Sequence, residues 1–259
     1  MRYFGKFGIA AAVMLGLTAT SAFAADIIEV PVDPQPVPAF GGWYLRGHIG
    51  MSNQRLGELE YFRMADLGES HGWYDDGGFD SAPIFSVGAG YQFNDWFRAD
   101  ATVEYRGKSD FSALDYITDG PGGAVIATND YTAKKSEWLL MANAYVDLGT
   151  FSGITPYVGA GIGASRNTIS HFNDRNIMAG GGGWAGSDSE WNFAWALHAG
   201  LGIQATDRLT IDLGYSYVDL GDAKTGTAYN YDGSTSNEAF KFNDLTSHDV
   251  KLGMRYAFN

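Results

Sequence analysis

The stretch HDVKLGMRYAFN, residues His248 to Asn259, decides the fold. Val250, Leu252, Met254, Tyr256 and Phe258 are apolar, while Asp249, Lys251, Gly253 and Arg255 between them are polar or minimal. Strict alternation marks a β-strand whose two faces meet different surroundings. The pattern recurs upstream over Trp43–Met51, Pro83–Phe93, Trp96–Arg106, Glu137–Asp147, Pro156–Ser165, Asn192–Ala205 and Arg208–Val218. Eight alternating segments result, each about ten residues long, the length of a tilted strand that crosses a bilayer. The alternation is weakest in Glu137–Asp147, where Leu139 and Met141 fall on the polar face.

The connections between segments alternate in length. Asn94-Asp95, Leu148–Thr155 and Thr206-Asp207 are short; residues 52–82, 107–136, 166–191 and 219–246 are long. In an antiparallel meander, alternate connections lie at the same end. The short turns therefore gather at one end and the long loops at the other. Structureless loops of such length are unusual in a compact soluble domain. The sequence predicts an all-β, eight-stranded, antiparallel up-and-down transmembrane barrel with four long extracellular loops. An extra hairpin in the first loop, giving ten strands, stays open.

Residues 1–24 begin with Arg2 and Lys6, continue through the apolar stretch FGIAAAVMLGLTATSA and end on Ala22-Phe23-Ala24. This order predicts a secretory signal peptide cleaved between Ala24 and Ala25. Residues 25–41 hold Pro31, Pro34, Pro36 and Pro38, four of the seven prolines, and read as an extended periplasmic lead-in. The barrel is then 42–259. The chain contains no cysteine, which excludes a lipidated N-terminus and a disulfide framework. Its formal charge is −13, and −15 once Arg2 and Lys6 are removed. Such a charge disfavours nucleic acid as a partner.

Alternation does not say which face is wet. Aromatic residues crowd the segment ends, including Trp43, Phe93, Trp96, Tyr105, Trp138, Trp195, Tyr217 and Tyr256, as in the girdles at bilayer interfaces. The opposite face mixes both charge signs with glycine. Arg46, Arg98, Asp100, Glu104, Arg106, Asp147, Asp212, Lys251 and Arg255 are predicted to pair across a narrow polar lumen. Glycines on that face, such as Gly90 and Gly200, either make room for these long side chains or leave a wet cavity; packing is the favoured reading. Eight strands enclose a space that side chains about fill, so an open channel is not expected.

Ala25-Asp26, FGGWYLRGHIG (Phe40–Gly50), YVGAGIGAS (Tyr157–Ser165) and SHDVKLGMRYAF (Ser247–Phe258), with the signal and proline-rich lead, resemble the small outer-membrane β-barrel family of alphaproteobacteria. That family includes surface antigens, porin-like proteins and haemin-binding proteins, and shares the barrel of the OmpA transmembrane domain. The resemblance implies export through the periplasm to the cell outer membrane. It implies outer-membrane lipid and lipopolysaccharide as partners, and an assembly machinery that reads the last strand through Tyr256 and Phe258. Asn259 departs from the family's aromatic ending.

The loops offer weaker candidates. Asp75, Asp76 and Asp80 beside Gly77 and Gly78 are potential Ca²⁺ ligands without the EF-hand spacing, so a solvated acidic loop is favoured. Lys134 and Lys135 are candidates to meet anionic lipopolysaccharide, but a solvated loop end is the favoured reading. Gly180–Trp184, GGGGW, reads as a loop tip. His71 near Trp73 and Tyr74, and His171 beside Phe172, are the histidines a haemin site would use. Ser247, His248 and Asp249 are consecutive, and strand neighbours point to opposite faces, so they make no catalytic triad. No enzyme, metal or cofactor is expected. The sequence reading is a non-enzymatic integral barrel that supports envelope integrity and presents surface loops. A low-conductance porin-like channel and a loop-mediated adhesin or haemin-binding surface protein are the alternatives. Deleting Phe258 and Asn259 is expected to lower the amount of folded protein in the outer membrane; undiminished levels in fractionated membranes would refute the assembly role.

Overall fold

A computed structural model describes residues 41–61, 66–178, 180–235 and 239–258. The predicted signal peptide, its Ala24–Ala25 cleavage site and nearly all of the lead-in lie outside these residues. The strands are β1 (Gly42–Arg55), β2 (Glu58–Glu60), β3 (His71–Phe79), β4 (Ala82–Gln92), β5 (Phe97–Thr118), β6 (Val125–Ala127), β7 (Asn129–Asp147), β8 (Ile154–Asn176), β9 (Gly182–Ala185), β10 (Asp188–Gln204), β11 (Leu209–Lys224), β12 (Ala228–Asn230) and β13 (Lys241–Ala257). Eight of them close a ring in the order β1, β4, β5, β7, β8, β10, β11, β13, and β13 pairs back onto β1. Every pairing is antiparallel. Closure leaves no free edge, as hydrocarbon requires.

The short turns are built by their own side chains. Asn94 Oδ1 accepts from the backbone N–H groups of Trp96 (3.1 Å) and Phe97 (2.7 Å). Thr206 Oγ1 does the same for Arg208 (3.3 Å) and Leu209 (3.0 Å). Such local bonds satisfy a chain reversal without help from the rest of the fold.

The long connections differ from the expected loops. Most of their length is strand. β5 runs twelve residues past Arg106 to Thr118, β7 starts at Asn129 and β8 continues to Asn176. The short strands β2, β3, β6, β9 and β12 pair above them. The barrel wall thus continues beyond the apolar band.

The sense of the wall inverts at that point. In the band, Val87, Leu140, Ile162, Leu213 and Leu252 face outward and are exposed, while charges face inward. Above it, Phe79, Phe111, Phe172, Phe240 and Phe242 face inward and are buried. Bulges make the change on four strands. One lies at Gly107–Lys108 of β5, where two residues oppose Ser136 alone. Others lie at His171 of β8, at Gly221 of β11 and at Asp244 of β13, all three with positive φ. One added residue swaps the two faces of a strand. Odd residues of β5 therefore meet lipid through Tyr105 and pack the core from Ser109 onward. This core is aromatic: Phe111 and Phe242 meet edge-on at 5.1 Å, and Phe172 lies 4.2 Å from Phe240.

Phe242→Ala removes a fully buried ring from this core and is expected to cost about 3–5 kcal/mol. Limited proteolysis should then cut the extension while the membrane-embedded strands survive; unchanged protease resistance would contradict the aromatic-core assignment.

Candidate functional site

The lumen is the most chemically dense region of the chain. All nine charged residues assigned to it project inward, and they sit in tiers. At the short-turn end, Arg98 Nε lies 3.1 Å from Asp147 Oδ1, and Arg255 Nε lies 2.8 Å from Asp212 Oδ2. The Arg98 guanidinium also lies over the rings of Tyr145 (4.2 Å) and Tyr157 (4.7 Å). Those faces give its unbonded Nη1 and Nη2 atoms an electrostatic partner.

The next tier centres on Asp100. Arg46 pairs with it, Tyr44 donates its hydroxyl to Oδ2 at 2.9 Å, and Asn143 Nδ2 donates to Oδ1 at 2.9 Å. Gly90 and Gly200 flank this tier. A Cβ on Gly90 would collide with the Tyr44 ring, and one on Gly200 would lie 2.5 Å from the Tyr157 ring. These glycines make room for packed side chains, not for a pore.

Above Asp100 lies a cavity of about 40 Å³ lined by Arg46, His48, Glu104, Asn143, His198 and Lys251, among others. A space of that size holds a few waters at most. Lys251 Nζ bridges to Glu104 Oε2 at 2.7 Å in its wall.

The last polar tier is built on Arg106, whose side chain is fully buried. It bonds Glu104 Oε1 (2.8 Å), Asp249 Oδ2 (2.7 Å), Ser52 Oγ (3.0 Å) and Ser247 Oγ (2.6 Å), with Glu137 at 3.6 Å. Lys135 pairs with Glu137 and donates to Gln54 Oε1 at 2.8 Å. Leu139, Met141, Ala196 and Val218 are buried apolar residues that line the cavity, Leu139 opposite Glu104 and Met141 opposite Thr102 in the register. Leu139 and Met141 are the two that weakened the alternation of their segment.

Asp249, Glu137 and Lys135 were missing from the sequence-derived set. With them, the described residues place six basic side chains (Arg46, Arg98, Arg106, Lys135, Lys251, Arg255) and six acidic ones (Asp100, Glu104, Glu137, Asp147, Asp212, Asp249) in the lumen. The inward alternation of β13 and β7 was the signal available for Asp249 and Glu137. Nothing in the sequence marks Lys135 as a lumen residue, and its expected place is a solvated loop end, with lipopolysaccharide contact as the alternative. That placement is corrected here: the fold buries Lys135 beside Glu137, while Lys134 stays exposed against Asp110.

The other candidates disperse. Asp75, Asp76 and Asp80 are exposed on or beside β3, and Asp75 Oδ1 only caps the N–H of Gly77 at 3.1 Å. Gly182–Trp184 of the GGGGW stretch falls in strand β9. His71 is drawn inward to Asp115 (3.1 Å), which also accepts from Asn129 and Tyr131. His171 occupies a bulge and is exposed. Ser247 and Asp249 both face Arg106, whereas His248 faces outward, its Nδ1 2.6 Å from the Tyr215 hydroxyl. Tyr256 and Phe258 also face outward, with rings 5.9 Å apart; Asn259 lies outside the described residues.

Residues 9–258 match the model of the outer membrane protein β-barrel domain family. The chain belongs to that family. Its place is the cell outer membrane. An uncharacterised protein of Brucella abortus strain 2308 is 34% identical across 98% of this chain and 99% of its own length. Outer membrane protein PagN of Salmonella typhimurium is 30% identical across 66% of this chain and 71% of its own. A Rickettsia bellii protein named as a candidate adhesin is also 30% identical, across 66% of this chain and 72% of its own. Among solved structures, the outer membrane protein OprG from Pseudomonas aeruginosa superposes with a TM-score of 0.50 at 14% identity, covering 86% of this chain and 97% of its own. That likeness concerns the fold alone.

Two outcomes follow from the site. Arg106→Leu strands Glu104, Asp249 and Glu137 in a closed space and should lower the unfolding free energy in urea by about 3–5 kcal/mol; Arg106→Leu with Asp249→Leu should recover part of it, and no recovery would argue against a shared charge tier. In the extension, burial and then the neighbouring Asp115 push the Asp174 carboxyl up to about 7. The unfolded carboxyl ionises near ~4, so between those values the folded chain keeps a proton the unfolded chain has lost. Stability of the extension should therefore fall as pH rises from about 4 to about 7. Asp174→Asn should flatten that slope in pH-resolved proteolysis, and an unchanged slope would sink the assignment.

Proposed function

We propose that this barrel is a sealed, non-enzymatic surface-contact protein. The lumen serves as its rigid anchor, and its extracellular extension is the working part. The observation that carries the reading is the apolar core of the extension. Residues 107–136 and 166–191 spend their length on paired strands packed over aromatic rings, which holds their outward side chains in a fixed arrangement. A channel would need an open path through the twelve paired charges and the apolar layer above them.

The outward surface is acidic and aromatic. Glu58, Glu60, Asp66, Glu69, Asp75, Asp76 and Asp80 are exposed on one stretch, and Tyr74, Trp184 and Tyr231 are exposed on the extension. A partner surface carrying basic groups fits that charge. The Rickettsia relative's name, that of a candidate adhesin, supports a contact role. Support of the envelope then comes from the scaffold, separately from contact.

A host strain lacking the gene should be complemented with the full protein or with Asp75→Asn/Asp76→Asn/Asp80→Asn. Binding of cells to a polycation-coated surface is expected to fall in the variant while exclusion of an impermeant dye is kept. Equal binding by the two would overturn the contact reading. The purified protein in planar bilayers should give no ion-selective steps, and reproducible steps would overturn the seal.

A further inference from the structure

The lipid-facing wall is uneven, and its hollow side carries the cations. On β10, β11 and β13 the outward residues include Leu197, Leu201, Ile203, Ile211, Leu213 and Leu252. On the other side the register aligns Ala89, Ala101 and Ala142 in one row across β4, β5 and β7. Leu45 and Ile162 flank that row, and Val87, Val103 and Leu140 stand above it. The result is an open apolar furrow of about 690 Å³ at acyl-chain depth.

Directly above, at the outer rim, another row aligns Tyr105, Trp138, Arg166 and Trp191 across β5, β7, β8 and β10. Arg166 continues the lipid-facing series of β8 and is exposed, flanked by two exposed tryptophans. Lys108, in the β5 bulge, and Lys134, on β7, lie just beyond. Among the described residues Arg166 and Lys108 have no ion-pair partner. The Asp110 partner of Lys134 is largely exposed, so that pair adds little. A cation held outward in an aromatic belt, on a chain of net charge −13, calls for an anion from the membrane itself.

We propose that this side binds one phosphorylated glycolipid of the outer leaflet, of the lipopolysaccharide class. Its phosphate meets Arg166 and Lys108, and an acyl chain lies in the furrow floored by Ala89, Ala101 and Ala142. The guanidinium and ammonium supply charge-assisted bonds to phosphate oxygens, and the tryptophans fix the depth of the headgroup. A second copy of the chain fits worse. Pairing through the furrow about an axis normal to the membrane would bring Arg166 and Lys108 of both copies to the same level, like charge against like. The site is independent of the contact surface proposed above.

The full protein, extracted in mild detergent from its own outer membrane, should be compared with Arg166→Gln/Lys108→Gln, with Ala101→Leu/Ala142→Leu and with Arg55→Gln, a basic residue of β1 outside the cluster. Retained lipid is read by native mass spectrometry, and folding is checked by heat-modified gel mobility. The wild type is expected to keep one phosphorylated glycolipid. The charge variant should lose about tenfold or more of it, the furrow variant should lose it without losing fold, and Arg55→Gln should keep it. In bilayer discs, a dephosphorylated glycolipid should fail to replace it. Phospholipid retained in the proportions of the bulk membrane, an equal loss in Arg55→Gln, or a dimer that both variants disrupt would each overturn the proposal.

Discussion

Arg106 is the residue on which the interior depends. It is fully buried and joins β5 to β13 through Asp249 and Ser247, to β7 through Glu137 and to β1 through Ser52. A polar lumen packed with side chains and closed to bulk water strongly favours this arrangement. A charge there has neither bulk water nor lipid headgroups to satisfy it, so it must find an opposite charge and hydrogen bonds across the barrel. Six basic side chains against six acidic ones, among the described residues, is the form that requirement takes. The tiers also fix register, because a one-residue slip of a strand that carries them would turn its charges into lipid.

The belt of bulges is the second constraint. Below it the outside is hydrocarbon and the inside polar; above it the outside is water and the inside must be apolar. On β5, β8, β11 and β13 the apolar set moves from the outer to the inner face across a bulge, whereas β7 keeps one alternation throughout and changes only the chemistry of the residues on its faces. The positive φ at His171, Gly221 and Asp244 and the paired residues at Gly107–Lys108 are where the chain changes sense. This lets one set of strands build both a membrane anchor and a water-exposed platform. It also explains how residues that resemble loops in composition hold a defined surface.

Membership in the outer membrane protein β-barrel domain family, together with relatives in Brucella, Salmonella and Rickettsia, places the chain among outer-membrane barrels without assigning it a ligand. Function in such a fold lies in what is grafted onto the wall. Here the additions are an acidic, aromatic upper surface and a cationic rim over an apolar furrow. They are proposed to meet different partners, one outside the cell and one within the membrane.

The sequence alone left eight or ten strands open, but it determined the fold class, the short turns and which face is polar. Each depends on a period-2 pattern or a local turn residue, and both are readable within about ten residues. It also marked the nine lumen charges, because a charge on the polar face of a barrel strand points inward. It did not show the extension. The bulges shift the phase of four strands, so the alternation breaks at the membrane rim and the remaining strand reads as loop. Nor did it show that Lys135 is buried beside Glu137, or that Ala89, Ala101 and Ala142 fall in one row beneath Arg166. Those relations join residues from separate strands, and only the registers of the closed barrel set which of them share a level.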